Sequence, residues 1–193
     1  MSLELALENY PKDVTTRSDV AITLRPLEQS DAEAYHALFQ TMPAAEIQYI
    51  KHRVADMGTF KDWCNNIDLG HNLPLLALRE GRIVGAGTLH QKLGGWRRHI
   101  GRVSVHCDPK VRGQGIGSTL LEEIVELARQ SGLQRLEAEF MAEQEDAMRL
   151  SAHYGFEELY RLEEYVKDMQ AIDHDYVLMG LKLTTDEEYA GMG

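Results

Sequence analysis

Cysteine is almost missing from this chain. Cys64 and Cys107 are the only two in 193 residues, and their separation fits neither a zinc-ligand spacing nor a disulfide framework, so no metal is expected and both thiols are read as reduced. Basic residues are outnumbered, with twenty Lys and Arg against thirty-one Asp and Glu, a formal charge of −11. That balance argues against a nucleic-acid surface, whose phosphates would be repelled, and favours a cationic partner such as an amine or a basic peptide. No apolar run approaches the ~20 residues that a bilayer core requires. The first residues alternate Leu3, Leu5 and Leu7 with Glu4 and Glu8 instead of placing a basic segment before an apolar stretch, so no membrane partner and a cytoplasmic location are expected. Internal repeats and low-complexity tracts are also lacking, and 193 residues with 44% hydrophobic content suit one domain with one substantial core.

What the chain does have is concentrated in residues 99–118, where a strand ends, a glycine-rich loop follows and a helix begins. Arg112, Gly113, Gln114, Gly115, Ile116, Gly117 and Ser118 offer successive backbone N–H groups with few side chains to obstruct an anion. They are aimed from a helix N-terminus that carries about half a positive charge. A phosphate-bearing ligand is implied. A P-loop would need Lys and then Ser or Thr after its last glycine, and Ile116-Gly117-Ser118 has no lysine. A dinucleotide fingerprint would need glycine where Ser118 stands, and that loop normally follows the first strand of its unit.

Around this segment the periodicities predict a mixed domain over residues 21–183, with residues 1–20 as a mobile or loosely docked arm and 184–193 as a tail. A first strand covers Ala21 to Arg25, and Ser30 is expected to cap a helix that ends at Pro43. Residues 45–69 read as a second helical region broken near Gly58. Leu75 to Arg79 and Ile83 to His90 form a hairpin through Glu80-Gly81-Arg82. On the strand from His99 to Cys107, Val103, Val105 and Cys107 share one face, and Arg102, Ser104 and His106 the other. Ile116, Leu120, Ile124 and Ala128 form one row of a helix that Gly132 ends. Arg135 to Met141 is a strand with Glu137 and Glu139 on the face opposite Leu136, Ala138 and Phe140. Strands around Glu157 to Leu162 and Tyr176 to Leu183 close the domain with a hairpin between them.

The spacing of Arg112, Gly115 and Gly117, followed downstream by Ala147-Met148-Arg149-Leu150-Ser151-Ala152-His153-Tyr154-Gly155-Phe156, resembles the GNAT family, the GCN5-related N-acetyltransferases. The resemblance implies an α/β (α+β) fold: a mixed, mostly antiparallel twisted sheet of six to seven strands with helices on both faces. It implies acetyl-CoA as co-substrate, with its pyrophosphate on Arg112 to Ser118 and its pantetheine arm paired to the backbone of Val105, His106 and Cys107. The activity implied is direct acetyl transfer to a primary amine of a small molecule or peptide. The acceptor stays unidentified, and a homodimer stays open. A GNAT-like acyl-CoA sensor with little catalysis is the main alternative, and use of a larger acyl-CoA is another.

Acetyl transfer to an amine needs a neutral nitrogen, a stabilised oxyanion and a proton for the departing thiolate. A few family members place a glutamate at the start of the strand before the loop, and His99 holds that place here. An imidazole with a reference pKa near 6.5 suits a base; Glu139 is its rival. The family's tyrosine acid is replaced by Ser151, with Tyr154 three residues on. Cys107 beside His106 also has the residue types of a nucleophile and its base, but neighbouring strand residues point to opposite faces.

Overall fold

The computed structural model describes residues 6–50 and 54–183. Eight strands form one sheet in the order β1-β2-β3-β4-β5-β6-β8-β7: β1 Lys12–Thr15, β2 Ala21–Pro26, β3 Asn72–Arg79, β4 Arg82–His90, β5 Ile100–Cys107, β6 Arg135–Met141, β7 Glu157–Lys167 and β8 Asp173–Lys182. Every neighbouring pair is antiparallel except β5 and β6. The longer helices that accompany them are α1 Ala32–Gln40, α2 Ala44–Ile47, α3 Met57–Asn65, α4 Ile116–Gln130 and α5 Glu145–His153, with short 3-10 turns at Gln29–Asp31 and Pro109–Val111. No helix among the described residues is long and apolar enough to cross a membrane.

The two-residue period of the strands sends apolar side chains to both faces, and each face has its own core. Leu24, Leu73, Leu75, Leu89, Leu136 and Val177 meet the apolar row of α4, namely Ile116, Leu120, Ile124 and Ala128. On the other face Leu76 and Ala86 meet Tyr35, Leu38 and Phe39 of α1 and Phe60 and Cys64 of α3. The helix row expected from spacing is therefore the buried one, and Gly132, with φ +77°, ends α4 as expected.

Several boundaries differ from the sequence reading, each for a local reason. Residues 12–15 are not a loose arm but the edge strand β1, paired with Ala21–Leu24 of β2. The Tyr10 hydroxyl and the Lys12 ammonium both donate to Glu123 of α4, at 2.6 and 2.8 Å, and Ala6 is buried in the core. Four residues are too few to show a strand period, which is why the sheet has eight strands where six to seven were expected. Ser30 does not cap α1; the Asp31 carboxylate takes the Glu28 N–H at 2.8 Å and a two-pronged contact from Arg25. Gly58 lies inside the first turn of α3, where its N–H donates to Asp56 at 3.0 Å. The break in the 45–69 region therefore falls upstream of it. The tail at 184–193 lies outside the described residues.

Candidate cofactor and acceptor site

The parallel pairing of β5 with β6 is short. It covers only Ile100↔Arg135, Gly101↔Leu136 and Arg102↔Glu137, whereas β5 stays paired to β4 as far as Cys107. Beyond Arg102 the two strands part. The Asp108 N–H donates to the Val84 carbonyl at 2.9 Å, so by the alternation of an antiparallel ladder the backbone groups of His106 and Ser104 face β4. Those of Val105 and Cys107 face the gap beside β6. The gap opens onto a cleft of about 1490 Å³.

One wall of the cleft is the loop entering α4. Asp108, wholly buried, pairs with Arg82 at 2.9 Å and takes the Lys110 N–H at 2.9 Å, which fixes the end of β5. Gly113 (φ +75°) and Gly115 (φ +79°) then adopt the left-handed conformation that turns successive N–H groups the same way. The first turn of α4 has no intrahelical acceptors for Ile116, Gly117 and Ser118, so their N–H groups point into the cleft. Of the loop residues expected to hold the cofactor, Arg112, Gly113, Gly115, Ile116, Gly117 and Ser118 line it, as do Val105, His106 and Cys107. Gln114 does not: its side-chain oxygen accepts from Arg79 at 2.8 Å and its carbonyl from Thr16 at 2.7 Å. Arg112 reaches across to α2, donating to both carboxylate oxygens of Glu46, one at 2.8 Å. A carboxylate beside the loop thus holds the guanidinium.

The other wall carries Ser104 and His106 of β5, Thr88 and His90 of β4, Glu137 and Glu139 of β6, and Tyr35, Phe39 and Trp63 from the helices. Rings of Tyr35, Phe39, Phe60 and Trp63 stack edge-on or tilted, and His106 sits 5.4 Å from Phe39. Glu137 pairs with Arg97, and Glu139 with Arg102 at 3.0 Å and the Tyr176 hydroxyl at 2.8 Å. The two carboxylates stand on the same face as His106, at the level where the strands part.

Three catalytic expectations meet this geometry differently. His99 precedes β5 and is not among the cleft residues; its carbonyl takes the Gln134 and Arg135 N–H groups. Six residues of extended chain separate it from Val105, about 20 Å at roughly 3.3 Å each, so the expectation of a base at His99 is corrected. Ser151 does line the cleft, buried to 5% exposure, with its hydroxyl donating to the Ala147 carbonyl at 3.0 Å. Tyr154 is turned into the core beside it, its hydroxyl buried and without a partner, so Tyr154 as the acid is corrected too. Cys107 lies across the strand from His106, and burial pushes its thiol up to about 12, which leaves no thiolate to act as a nucleophile at neutral pH.

Tyr154→Phe removes an unpaired buried hydroxyl and keeps the ring. The expected result is unchanged turnover with a stability equal to or up to about 1 kcal/mol above the parent. Thermal melting and steady-state rates measure both; a large loss of turnover in a folded protein would restore Tyr154 as an acid.

Arg17, Ser18 and Glu46 also reach the cleft and were missed, because they come from segments far from the loop in sequence. Glu137 and Glu139 had a visible signal, alternate acidic residues on a strand otherwise apolar on its other face.

Comparison with known proteins follows the geometry. The model of the acetyltransferase (GNAT) family matches residues 32–156. No curated protein matches the chain. Among solved structures, the ribosomal-protein-alanine N-acetyltransferase of Brucella melitensis is 27% identical, with 83% of this chain and 99% of that one covered and a TM-score of 0.72. The GNAT acetyltransferase of Streptococcus pneumoniae is 24% identical over 83% and 99%, with a TM-score of 0.71. The yncA protein of Salmonella typhimurium, whose structure holds its cofactor acetyl-CoA, is 22% identical over 85% and 95%, with a TM-score of 0.70. With the family model covering residues 32–156, a mixed sheet that parts beside a glycine-rich loop, and these structural relatives, the chain belongs to the GNAT acetyltransferase family.

Proposed function

We propose that this protein is an acetyl-CoA-dependent N-acetyltransferase that passes the acetyl group directly to a primary amine of a small molecule or peptide. The observation that carries the reading is the continuity of the cleft. It runs from the free N–H groups of Ile116 to Ser118, through the gap between β5 and β6, to a pocket of aromatic rings and carboxylates.

The residues fit CoA without rearrangement of the loop. Left-handed Gly113 and Gly115 present amides to the pyrophosphate, and Gly117, the second residue of α4, lines the cleft with no side chain of its own between the loop and the gap where the pantetheine arm would lie. Acetyl-CoA supplies an activated acyl thioester. The Val105 N–H, facing the gap, is a preorganised donor for charge developing on the thioester oxygen, worth a few kcal/mol by analogy with oxyanion-hole donors. On the opposite side the acceptor nitrogen meets Glu139, which takes its proton directly or through water. Glu46, Asp68, Glu137, Glu139 and Glu143 line the same space, three of them paired with Arg112, Arg97 and Arg102, and it is the formal charge of −11 over the chain that favours a cationic acceptor. The departing thiolate would take its proton from solvent, since the Ser151 hydroxyl is a weaker acid than a thiol and already donates to the Ala147 carbonyl. The exposed apolar side chains of the edge strand β7, among them Leu159, Leu162 and Tyr165, support a homodimer among the partners.

The test is a panel of acyl-CoA donors against amine acceptors, read by release of free thiol. Turnover with acetyl-CoA and at least one primary amine is expected. Tight CoA binding with no thiol release across the panel would overturn catalysis in favour of a sensor, and a preference for longer acyl chains would replace the acetyl donor.

A further inference from the structure

The turn between β1 and β2 lies outside the residues that match the family model, yet it is fastened to the phosphate loop. The buried Thr16 hydroxyl donates to the Gln114 carbonyl at 2.7 Å, and the Ser18 hydroxyl donates to the Gly113 carbonyl at 3.3 Å. Within the turn, the Thr16 N–H bonds the Val20 carbonyl and the Asp19 N–H the Thr16 carbonyl, both at 2.9 Å. Thr16 also touches the α-carbon side of Gly115 so closely that a β-carbon there would stand 3.1 Å from it. The turn is therefore a rigid shelf against the loop, and Arg17 at its tip lines the cleft together with Ser18 and His153.

Arg17 is held but not consumed. Its guanidinium lies 5.8 Å from the centre of the Tyr154 ring, a cation–π distance, and 3.5 Å from the His153 imidazole. Its nearest carboxylate, Glu122, is 3.7 Å away with both side chains largely exposed, a pairing of little weight in water. An arginine placed against an aromatic face, beside an imidazole and without a strong acid partner, at the rim of a phosphate-binding loop, is a site for a further phosphate oxygen.

We infer that Arg17, carried by the β1–β2 shelf and aided by His153, binds a phosphate of the nucleotide end of CoA, so that the N-terminal hairpin completes the cofactor site. The inference rests on the reading of the loop as a CoA site. An anion between Arg17 and His153 would exchange a cation–imidazole contact for two charge-assisted hydrogen bonds. CoA offers two such anions, the pyrophosphate and the 3′-phosphate of its ribose, and a fragment missing one of them tells them apart.

Titration calorimetry on the full-length wild type, Arg17→Ala and Arg17→Lys, with CoA and with 3′-dephospho-CoA, tests it. Arg17→Ala is expected to weaken CoA by about tenfold, the size of one charged hydrogen bond, and to raise the KM for acetyl-CoA with kcat unchanged. Arg17→Lys should regain most of the loss. If the 3′-phosphate is the partner, dephospho-CoA binds wild type and Arg17→Ala alike; if the pyrophosphate is, both ligands weaken together. Either result supports the assignment. CoA binding to Arg17→Ala within twofold of a wild type that binds CoA would overturn it and leave the loop reading intact. A wild type that binds no CoA would overturn both. The side chain is largely exposed, so thermal melting should show the variants folded.

Discussion

A Gly117→Glu protein is expected to fold as well as the parent and to lose CoA binding by about a hundredfold or more, an effect near 2.7 kcal/mol. Gly117 is the second residue of α4, where an acidic side chain is favoured by the helix dipole and where replacing glycine raises helix propensity by roughly half to one kcal/mol. Its added β-carbon would meet Cys107 at 3.5 Å and Leu150 at 3.6 Å, ordinary contacts that demand no shift. The remaining atoms bring bulk and a negative charge to the part of the cleft that Gly117 lines, beside the amides proposed for the pyrophosphate. Gly115 is a poorer place for the same experiment. Its φ of +79° and the 3.1 Å approach of Thr16 would strain any side chain and dislodge the β1–β2 turn, so a loss of binding there would not distinguish a blocked site from a damaged one. Calorimetry with CoA beside thermal melts decides the matter. A folded Gly117→Glu protein that binds CoA as tightly as the parent would remove the ligand from this loop.

The parts of the fold that were legible in the sequence are those whose information is local. The loop from Arg112 to Ser118 and the row Ile116, Leu120, Ile124, Ala128 each carry their signal within one or two turns of chain, and both stand where spacing put them. The alternation of β5 and β6 correctly placed His106 and Cys107 on opposite faces and set Glu137 and Glu139 against an apolar face. What could not be read depends on register between distant strands. Nothing in the local pattern says that β5 and β6 part after Arg102 and Glu137, and without that level chemistry favoured His99, with Glu139 as its rival. The β1 strand was hidden for a different reason: its four residues leave no period to detect, and the contacts that dock it, Thr16 to Gln114 and Lys12 to Glu123, join residues about a hundred positions apart. Tyr154 was misplaced into the site by spacing alone, since three residues along a helix bring it near the face of Ser151. The residue stands at the helix end, where the chain turns toward Gly155 and carries the ring into the core.

That register also makes the base a matter of geometry. Continuing the pairing Arg102↔Glu137 by two residues sets Glu139 level with Ser104, at the mouth of the gap and one residue from the Val105 amide, on the acceptor side of the sheet. Its side chain is 11% exposed and accepts from Tyr176 at 2.8 Å and Arg102 at 3.0 Å, which fixes its direction. Glu139→Gln preserves size and the bond from Tyr176 while removing the proton acceptor. The expected result is a fall in kcat/KM for the amine of about a hundredfold or more, with unchanged CoA affinity. His99→Ala, about 20 Å along the strand, should leave the rate alone. Because Glu139 also holds Arg102, Tyr176→Phe serves as the structural control: it removes one fixing bond and keeps the carboxylate, so most turnover should remain. Turnover of Glu139→Gln within about threefold of the parent would exclude Glu139 as the base. Equal losses in Glu139→Gln and Tyr176→Phe would instead assign the effect to the network that orients the pocket.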